Sequence, residues 1–344
     1  MSSSLRNRVV GHGRERLPFD VDSVGLAGLL LVAPGAVLFL SFMLFPIAFL
    51  IYLSFTDATH AGTVLGGEAS IIGLENYAQL FTDPQFWQSF GVTWLFLAVS
   101  LAIKVVLATG IAMILTHARV LGKRYMRALV IVPMGFPAIF VITVWEGMFS
   151  GARYGPLNQF AGTYNSIVSG FVGVLDSLLF FVTVSAPELL LADLPIQWLS
   201  GRWSAFAAYT ITEVWLAYPF MVIIIVSALQ DVPMDLHDAA KVDGAGYVHR
   251  FFNVTLPAIK RPVLFASILT AATSFQQFLI PFIFNGGGPS RQNELLILYG
   301  YREAIELHEY AFASAIMVTA IAFIGMFMWL AVKKGNLAEG IDSA

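Results

Sequence analysis

Six long apolar segments constrain the fold of this 344-residue chain more than any other feature of its sequence. A helix crosses the hydrocarbon core of a bilayer with about 20 apolar residues, and each segment reaches that length. Hydrophobic residues make up 58% of the chain and charged residues only 12%, which excludes an ordinary soluble domain. Because the segments lack the alternation of barrel strands, we predict an all-α, polytopic membrane protein with six core transmembrane helices. The predicted spans are Gly25 to Leu53, Trp87 to Thr116, Tyr125 to Phe149, Ser204 to Leu229, Pro262 to Phe284, and Tyr310 to Val332.

Lysine and arginine predict the orientation of these spans, because cytoplasmic loops carry an excess of both. Most of the 19 basic residues fall in the two terminal segments and in the loops after the second and fourth spans. We therefore predict a membrane domain at 25–332 between two cytoplasmic tails, at 1–24 and 333–344.

The segment from Ser166 to Leu191 is apolar over roughly the length of a span, although Asp176 interrupts it. One extra span would place every later loop on the opposite side and move the basic loop after span four outside the cell. We therefore predict an external cap or a re-entrant segment within an external region at 150–203. A seventh span is the alternative.

Several kinds of chemistry are excluded by residues that are missing or scattered. The chain has no cysteine, which excludes disulfides and thiolate metal sites. Its six histidines fall in loops or at span edges, so we expect no catalytic or metal-binding group within the spans. Gly122-Lys123 lacks the glycine-rich loop of a nucleotide-binding motif, so ATP hydrolysis must come from a partner. The basic residues form no stripe, which argues against nucleic acid as a partner.

The loop between spans four and five has the pattern of two short helices. Gly244 suits the turn between them, because glycine adopts the backbone conformation that ends a helix. A second helix from Tyr247 to Val254 would present Phe251 and Phe252 on one side, until Pro257 constrains the chain ahead of span five. Exposed aromatic side chains on a cytoplasmic loop predict a protein partner.

The spacing of Asp238-Ala-Ala, Asp243-Gly-Ala and Leu256-Pro257 in this loop resembles the EAA motif of ABC-importer permeases. In that family the motif forms a coupling helix that binds a cleft of the ATPase subunit. Asp238 stands where the family usually has glutamate, so the carboxylate is kept but shortened by one methylene. The resemblance implies a coupling loop at 233–257, with ATPase contacts from Asp238, Ala239, Ala240, Asp243, Gly244, Ala245, Phe251, Phe252, Leu256 and Pro257.

Other stretches are similar to the sugar permeases of this family, in particular the maltose-type subunit. They are Phe45-Pro46 with Ser54-Phe55, Gly73 to Tyr77 with Phe86-Trp87, and Asn285 to Pro289. The resemblance implies the type I ABC-importer permease fold in the cell membrane of a bacterium or archaeon, in contact with membrane lipid. It also implies a heterodimer with a second permease subunit, two ATPase subunits that bind ATP and Mg, and an external sugar-binding protein. No cofactor is expected in this chain itself.

Polar residues on span five suggest where the solute passes. Thr270, Ser274 and Gln277 share one face at helical spacing, and their hydroxyl and amide groups suit an uncharged polyol. The resemblance to the maltose-type permease carries the sugar-facing positions over to Met134, Ala138, Leu216, Ala217, Phe220, Thr270, Thr273, Ser274 and Gln277.

Two charged residues lie inside predicted spans, where charge is costly unless it is paired or hydrated. Glu213 and Lys104 could form a buried ion pair, line a watery solute path, or relay protons, and we include Glu213 among the path candidates. We predict a permease subunit of an ATP-driven sugar importer. Import of glycerol phosphate is an alternative that would favour converging basic residues, and an ion-coupled secondary transporter is a second.

Overall fold

The structure is a computed structural model, and it describes residues 21–59, 63, 69–117, 119–178 and 194–335. Within these ranges the regular structure is helical, apart from an antiparallel bridge between Thr56 and Ile71. The all-α prediction is therefore confirmed. The chain divides into two compact units, residues 1–52 and residues 53–344.

The described part of the first unit is helical throughout. Helix α1 covers Val21–Phe39, a π-helical turn covers Leu40–Leu44, and helix α2 covers Phe45–Leu53. In the turn, the Phe45 N–H donates to the carbonyl of Leu40, five residues back. Pro46 follows directly and has no N–H to donate, so the wider turn lets the helix continue past the proline.

The second unit is built around three long helices. Its helices are α3 (Glu75–Thr82), α4 (Pro84–Thr116), α5 (Lys123–Ile131), α6 (Ala138–Met148), α7 (Pro156–Leu178), α8 (Arg202–Gln230), α9 (Met234–Val242), α10 (Tyr247–Arg250), α11 (Leu256–Phe275), α12 (Leu279–Asn285), α13 (Leu296–Tyr301) and α14 (Tyr310–Lys334). Helices α4, α8 and α11 pack against one another, and α14 packs against α11 and α13. Large side chains such as Phe96, Tyr209 and Phe275 are fully buried between them.

Several of these helices are long and apolar enough to cross a membrane. They are Leu30–Leu53, α4, α8, the helical segment Tyr247–Asn285, and α14. A sixth crossing would come from the bent pair formed by Lys123–Gly135 and α6. The polytopic prediction is therefore confirmed. Helix α7 does not belong to this group, and residues 179–193 lie outside the described ranges, so the external or re-entrant nature of Ser166 to Leu191 stays a prediction.

The predicted third span, Tyr125 to Phe149, is wrong as one continuous helix. A 3₁₀ turn at Val132–Gly135 follows α5, and the chain bends by 96° before α6 begins. Phe136 has an extended backbone, with φ −107° and ψ 144°. The cause is Pro137, because a proline ring disfavours the helical conformation of the residue before it.

The predicted limits around span five are also wrong. The helix that begins at Tyr247 runs through a π-helical turn, Phe251–Thr255, directly into α11. Pro257 therefore does not separate the loop helix from the span. The Leu256 N–H donates to the carbonyl of Phe251, five residues back, and this accommodates Pro257 as the earlier π-helical turn accommodates Pro46.

At its other end, the predicted span Pro262 to Phe284 is interrupted. Helix α11 ends at Phe275, and α12 begins only at Leu279. Gln276 and Phe278 have non-helical backbones that separate the two helices.

The helix ends group into two opposite sets. At one end, the Gln85 amide at the start of α4 donates to Glu294, and the Asn293 amide donates to the carbonyl of Arg202 at the start of α8, at 2.9 and 2.7 Å. At the opposite end, His117 and Tyr247 line the same cleft. The loops that follow α4 and α8 therefore lie at the same end of the helices.

A buried charged cluster fixes the first of these ends. The carboxylate of Glu294 is fully buried and accepts hydrogen bonds from Arg302 and, at 2.7 Å, from Arg291. Burial raises the pKa of the Glu294 carboxyl, and the two arginines oppose that rise. The Gln85 amide donates to the same carboxylate, so Glu294 holds the segment before α13 against the start of α4.

Candidate functional site

The predicted coupling loop, residues 233–257, turns at Gly244. Helix α9 ends at Val242, and Gly244 follows with a positive φ of 77°. The Ala245 N–H donates to the carbonyl of Ala240 at 2.9 Å, and the Gly244 N–H donates to that of Lys241 at 3.0 Å. This pair of bonds is a Schellman motif, which requires the left-handed backbone that glycine adopts without strain. The predicted turn residue is therefore confirmed.

The loop exposes apolar side chains on both sides of this turn. Val242 is 88% exposed and Tyr247 57% exposed. Val248 and Phe252 are also exposed, whereas Phe251 is half-buried and stacks edge-on against Phe252. Several exposed large apolar side chains on one short loop are typical of an interaction surface.

Asp238 and Asp243, the two acidic positions of the motif, are both exposed on this loop. Asp238 forms an ion pair with Lys241 at 2.6 Å, one turn further along α9. The hydrogen bond from Lys241 lowers the pKa of Asp238. Because both side chains are solvent-exposed, the pair contributes little stability. Lys241 was not among the predicted contacts, although its i,i+3 spacing from Asp238 indicates the pair.

A polar cluster lies buried between the three long helices. Lys104 of α4 lies 3.0 Å from the carboxylate of Glu213 of α8, and both side chains are buried. Ser274 of α11 accepts a hydrogen bond from the Lys104 ammonium at 2.6 Å and lies 2.9 Å from the Glu213 carboxylate. Of the possibilities raised for the two charges, the structure contains the ion pair. We call Lys104, Glu213, Ser274 and Gln277 the central cluster.

Gln277 connects the central cluster to the interruption of span five. Its amide nitrogen donates to Glu213 at 2.6 Å, and its amide oxygen accepts the Phe278 N–H at 3.0 Å. That N–H precedes α12 and has lost its helical partner, so the Gln277 side chain replaces the missing bond. The break in span five and the ion pair are thereby joined through one side chain.

The remaining path candidates divide by burial. Thr270 is buried, and its hydroxyl oxygen has no hydrogen-bond partner within the described ranges. Thr273 is exposed and donates to the carbonyl of Thr270 at 2.9 Å. Met134 and Ala138, which flank the bend of the third span, are exposed, while Leu216, Ala217 and Phe220 of α8 are half-buried. The structure therefore brings Glu213, Ser274 and Gln277 into direct contact and leaves Thr270 unpaired one turn away.

Comparison with known proteins places the chain in a family. The model of the family described as binding-protein-dependent transport system inner membrane component matches residues 105–335. The trehalose/maltose transport system permease protein MalF of Thermococcus litoralis is 29% identical over 90% of this chain and 93% of its own length. The sulfoquinovosyl glycerol transport system permease protein SmoG of Agrobacterium fabrum is 30% identical over 86% of both chains.

The fold matches that of a solved transporter chain. A chain from a bacterial ABC transporter involved in the import of the acidic polysaccharide alginate superimposes with a TM-score of 0.65 at 18% identity. The match covers 92% of this chain and 96% of the other. Because the family match spans more than half of the sequence and includes the whole coupling loop, this chain belongs to the inner membrane permease components of binding-protein-dependent transport systems.

Proposed function

We propose that this chain is the membrane-spanning subunit of an ATP-driven importer for a sugar or oligosaccharide, and that partner ATPase subunits dock on its coupling loop. The observation that carries this proposal is the exposed turn at Gly244 with apolar side chains on both sides. The names of two relatives, a trehalose/maltose permease and a sulfoquinovosyl glycerol permease, support the choice of solute class.

The arrangement of the loops supports a cytoplasmic position for the coupling loop and both tails. The loops after α4 and α8 share one end, since His117 and Tyr247 line one cleft. Both loops are rich in lysine and arginine, and such loops face the cytoplasm. An odd number of crossings must then separate α4 from α8, which favours a cap or re-entrant segment over a seventh span.

The chemistry of the central cluster favours an uncharged solute. Of the two basic residues inside the predicted spans, Arg127 lies at the edge of the third, and Lys104 is already paired with Glu213, so the central cluster offers no unpaired cation for a phosphate. Hydroxyl and amide groups of Thr270, Ser274 and Gln277 provide the hydrogen-bonding partners that a sugar requires. An importer for glycerol phosphate is correspondingly disfavoured.

The proposed assembly contains a second permease subunit, two ATPase subunits and an external solute-binding protein. A solved relative, the bacterial alginate ABC transporter, is in complex with an alginate pentasaccharide-bound periplasmic protein, which supports the last of these partners. Because this chain carries no nucleotide-binding motif, ATP and Mg bind to the ATPase subunits.

Reconstitution tests this proposal. The chain, copurified with its permease and ATPase partners in liposomes, is expected to take up sugar only with ATP and the external binding protein. Solute accumulation by this chain alone under an ion gradient would instead identify a secondary transporter. Uptake of glycerol 3-phosphate in preference to sugars would contradict the solute class.

Replacing Thr270 with valine separates the solute path from helix packing. The change keeps the shape of the side chain and removes a hydroxyl that lacks a partner, so stability is expected to be unchanged or to rise by about 1 kcal/mol. Sugar uptake is nevertheless expected to fall several-fold, measured in the same liposomes. Thr210→Val is the control, because this buried hydroxyl donates within α8 to the carbonyl of Phe206. Equal uptake by both variants would remove Thr270 from the path.

A further inference from the structure

An apolar cleft lies at the end of α4, beside the coupling loop. Its volume is about 320 Å³. It is lined by Gly110, Met113, Ile114, His117, Val120 and Tyr247. Ile114 is 51% exposed, and Gly110 lies on the same exposed side of the helix, so the cleft opens on the flank of a membrane-crossing helix. An apolar cleft in that position faces the hydrocarbon of the bilayer.

Basic residues lie beside this cleft. Arg119 falls in the sequence between the lining residues His117 and Val120, and the Lys123 ammonium donates to the carbonyl of Thr116, the last residue of α4, at 3.5 Å. We call Arg119, Lys123 and Arg124 the cationic rim. Within the described ranges none of the three forms an ion pair. The positive charge beside the cleft is therefore not paired with a described carboxylate.

Helix α5 continues the basic stretch beside the cleft. It carries Lys123, Arg124 and Arg127 on one side, while Tyr125 and Leu129 are exposed apolar side chains on the other. The Arg127 guanidinium donates to the carbonyl of Leu115, in the last turn of α4, at 3.5 Å. The basic side of α5 therefore lies against the end of α4, next to the cleft.

We propose that an anionic phospholipid occupies the cleft. Its acyl chain lies against Gly110, Met113 and Ile114, and its phosphate lies beside the cationic rim, which supplies the complementary charge. Tyr247 forms one wall of the cleft and is also the first residue of the helix that leads from the coupling loop into span five. Lipid occupancy therefore contacts the coupling loop directly, and it favours ATP hydrolysis by the assembled importer. The effect of the lipid on ATP hydrolysis, the regulatory half of this proposal, rests on the proposed coupling function. The binding of the lipid in the cleft, the binding half, does not.

Filling the cleft tests the binding half. A Cβ atom added at Gly110 meets nothing within 4 Å outside its own helix backbone, so Gly110→Leu is expected to fold and to extend into the space of the acyl chain. Gly91→Leu is the matched control, because Gly91 lies in the same helix near its opposite end and also has open space around it. The purified importer is reconstituted in phosphatidylcholine with phosphatidylglycerol, and the retained lipid is measured by native mass spectrometry.

The expected result is that the unchanged chain and Gly91→Leu retain phosphatidylglycerol, while Gly110→Leu loses it at least about tenfold. Combined Arg119→Gln and Arg124→Gln changes are expected to lower retention of phosphatidylglycerol but not of phosphatidylcholine. Undiminished phosphatidylglycerol on Gly110→Leu would overturn the proposal. So would loss of the second permease subunit from that variant, because the cleft would then be a protein interface.

ATP hydrolysis tests the regulatory half. Phosphatidylglycerol is expected to raise the hydrolysis rate of the importer and of Gly91→Leu several-fold, but not that of Gly110→Leu. Equal rates with and without phosphatidylglycerol, despite bound lipid, would overturn the regulatory role. Failure of the coupling function itself would be recognised separately, because no ATPase subunit would then copurify with any of these chains.

Discussion

Replacing Gly244 with valine is expected to release the ATPase subunit from the importer, whereas replacement with asparagine is expected to retain it. A Cβ atom added at Gly244 meets nothing within 4 Å beyond its chain neighbours, so the expected effect does not come from a clash of that atom. It comes from the positive φ of 77°, which asparagine tolerates and a β-branched residue does not. The left-handed backbone costs an ordinary residue about 1–2 kcal/mol, so the turn reorganises and α9 changes its direction relative to α10.

The measurement is the ratio of ATPase subunit to tagged permease after copurification. A loss of about tenfold is expected for Gly244→Val, since 1.4 kcal/mol corresponds to a factor of ten in an equilibrium. Gly73→Val serves as the control: Gly73 also has a positive φ and open surroundings, but it lies outside the coupling loop. Full retention of the ATPase by Gly244→Val, or equal loss in both variants, would contradict docking on this turn.

Replacing Glu213 with glutamine is expected to destabilise the protein more than removing both charges of the central cluster together. The single change leaves the fully buried Lys104 ammonium without its counter-charge. Removing one partner of a buried ion pair costs about 3–5 kcal/mol, whereas replacing both by apolar residues is often neutral. The double variant Lys104→Met with Glu213→Leu is therefore expected to recover most of the loss.

The test is a double-mutant cycle of Lys104→Met, Glu213→Leu and the double variant, measured by unfolding in lipid nanodiscs, with Glu213→Gln measured beside it. The coupling free energy between the two positions is expected to be at least about 1 kcal/mol and favourable. Assembly with the partner subunits is expected to fail in Glu213→Gln and to return in the double variant. Normal stability and assembly of Glu213→Gln, accompanied by poor uptake, would assign Glu213 to the solute path instead.

The sequence predicts the membrane crossings well because each depends on a local property. A run of apolar residues long enough to cross the bilayer needs no knowledge of its neighbours, and α4, α8 and α14 all lie close to their predicted limits. The turn at Gly244 is equally local, since the backbone conformation and the residue type match. Local signals of this kind account for most of the coupling loop.

The missed features depend on prolines and on distant contacts. Pro137 breaks the third span, whereas Pro46 and Pro257 are passed by π-helical turns, and a proline alone does not distinguish the two outcomes. The interruption after Phe275 could not be predicted because Gln277 is held there by Glu213, a residue 64 positions earlier. The sequence leaves the pairing of Glu213 with Lys104 as one of several possibilities, because only the packing of α4 against α8 brings the two side chains together.

The helix from Tyr247 to Phe275 is unbroken, so the last part of the predicted coupling loop and the first part of span five move as one rigid helix. At 1.5 Å per residue this helix is about 40 Å long. A pivot of about 10° near its midpoint would move each end by about 4 Å, which exceeds the length of one hydrogen bond. A displacement of that size at Tyr247 would be accompanied by an equal displacement near the other end, where Ser274 contacts Lys104 and Glu213. The π-helical turn at Phe251–Thr255 is therefore essential to this motion, because it keeps the helix continuous past Pro257.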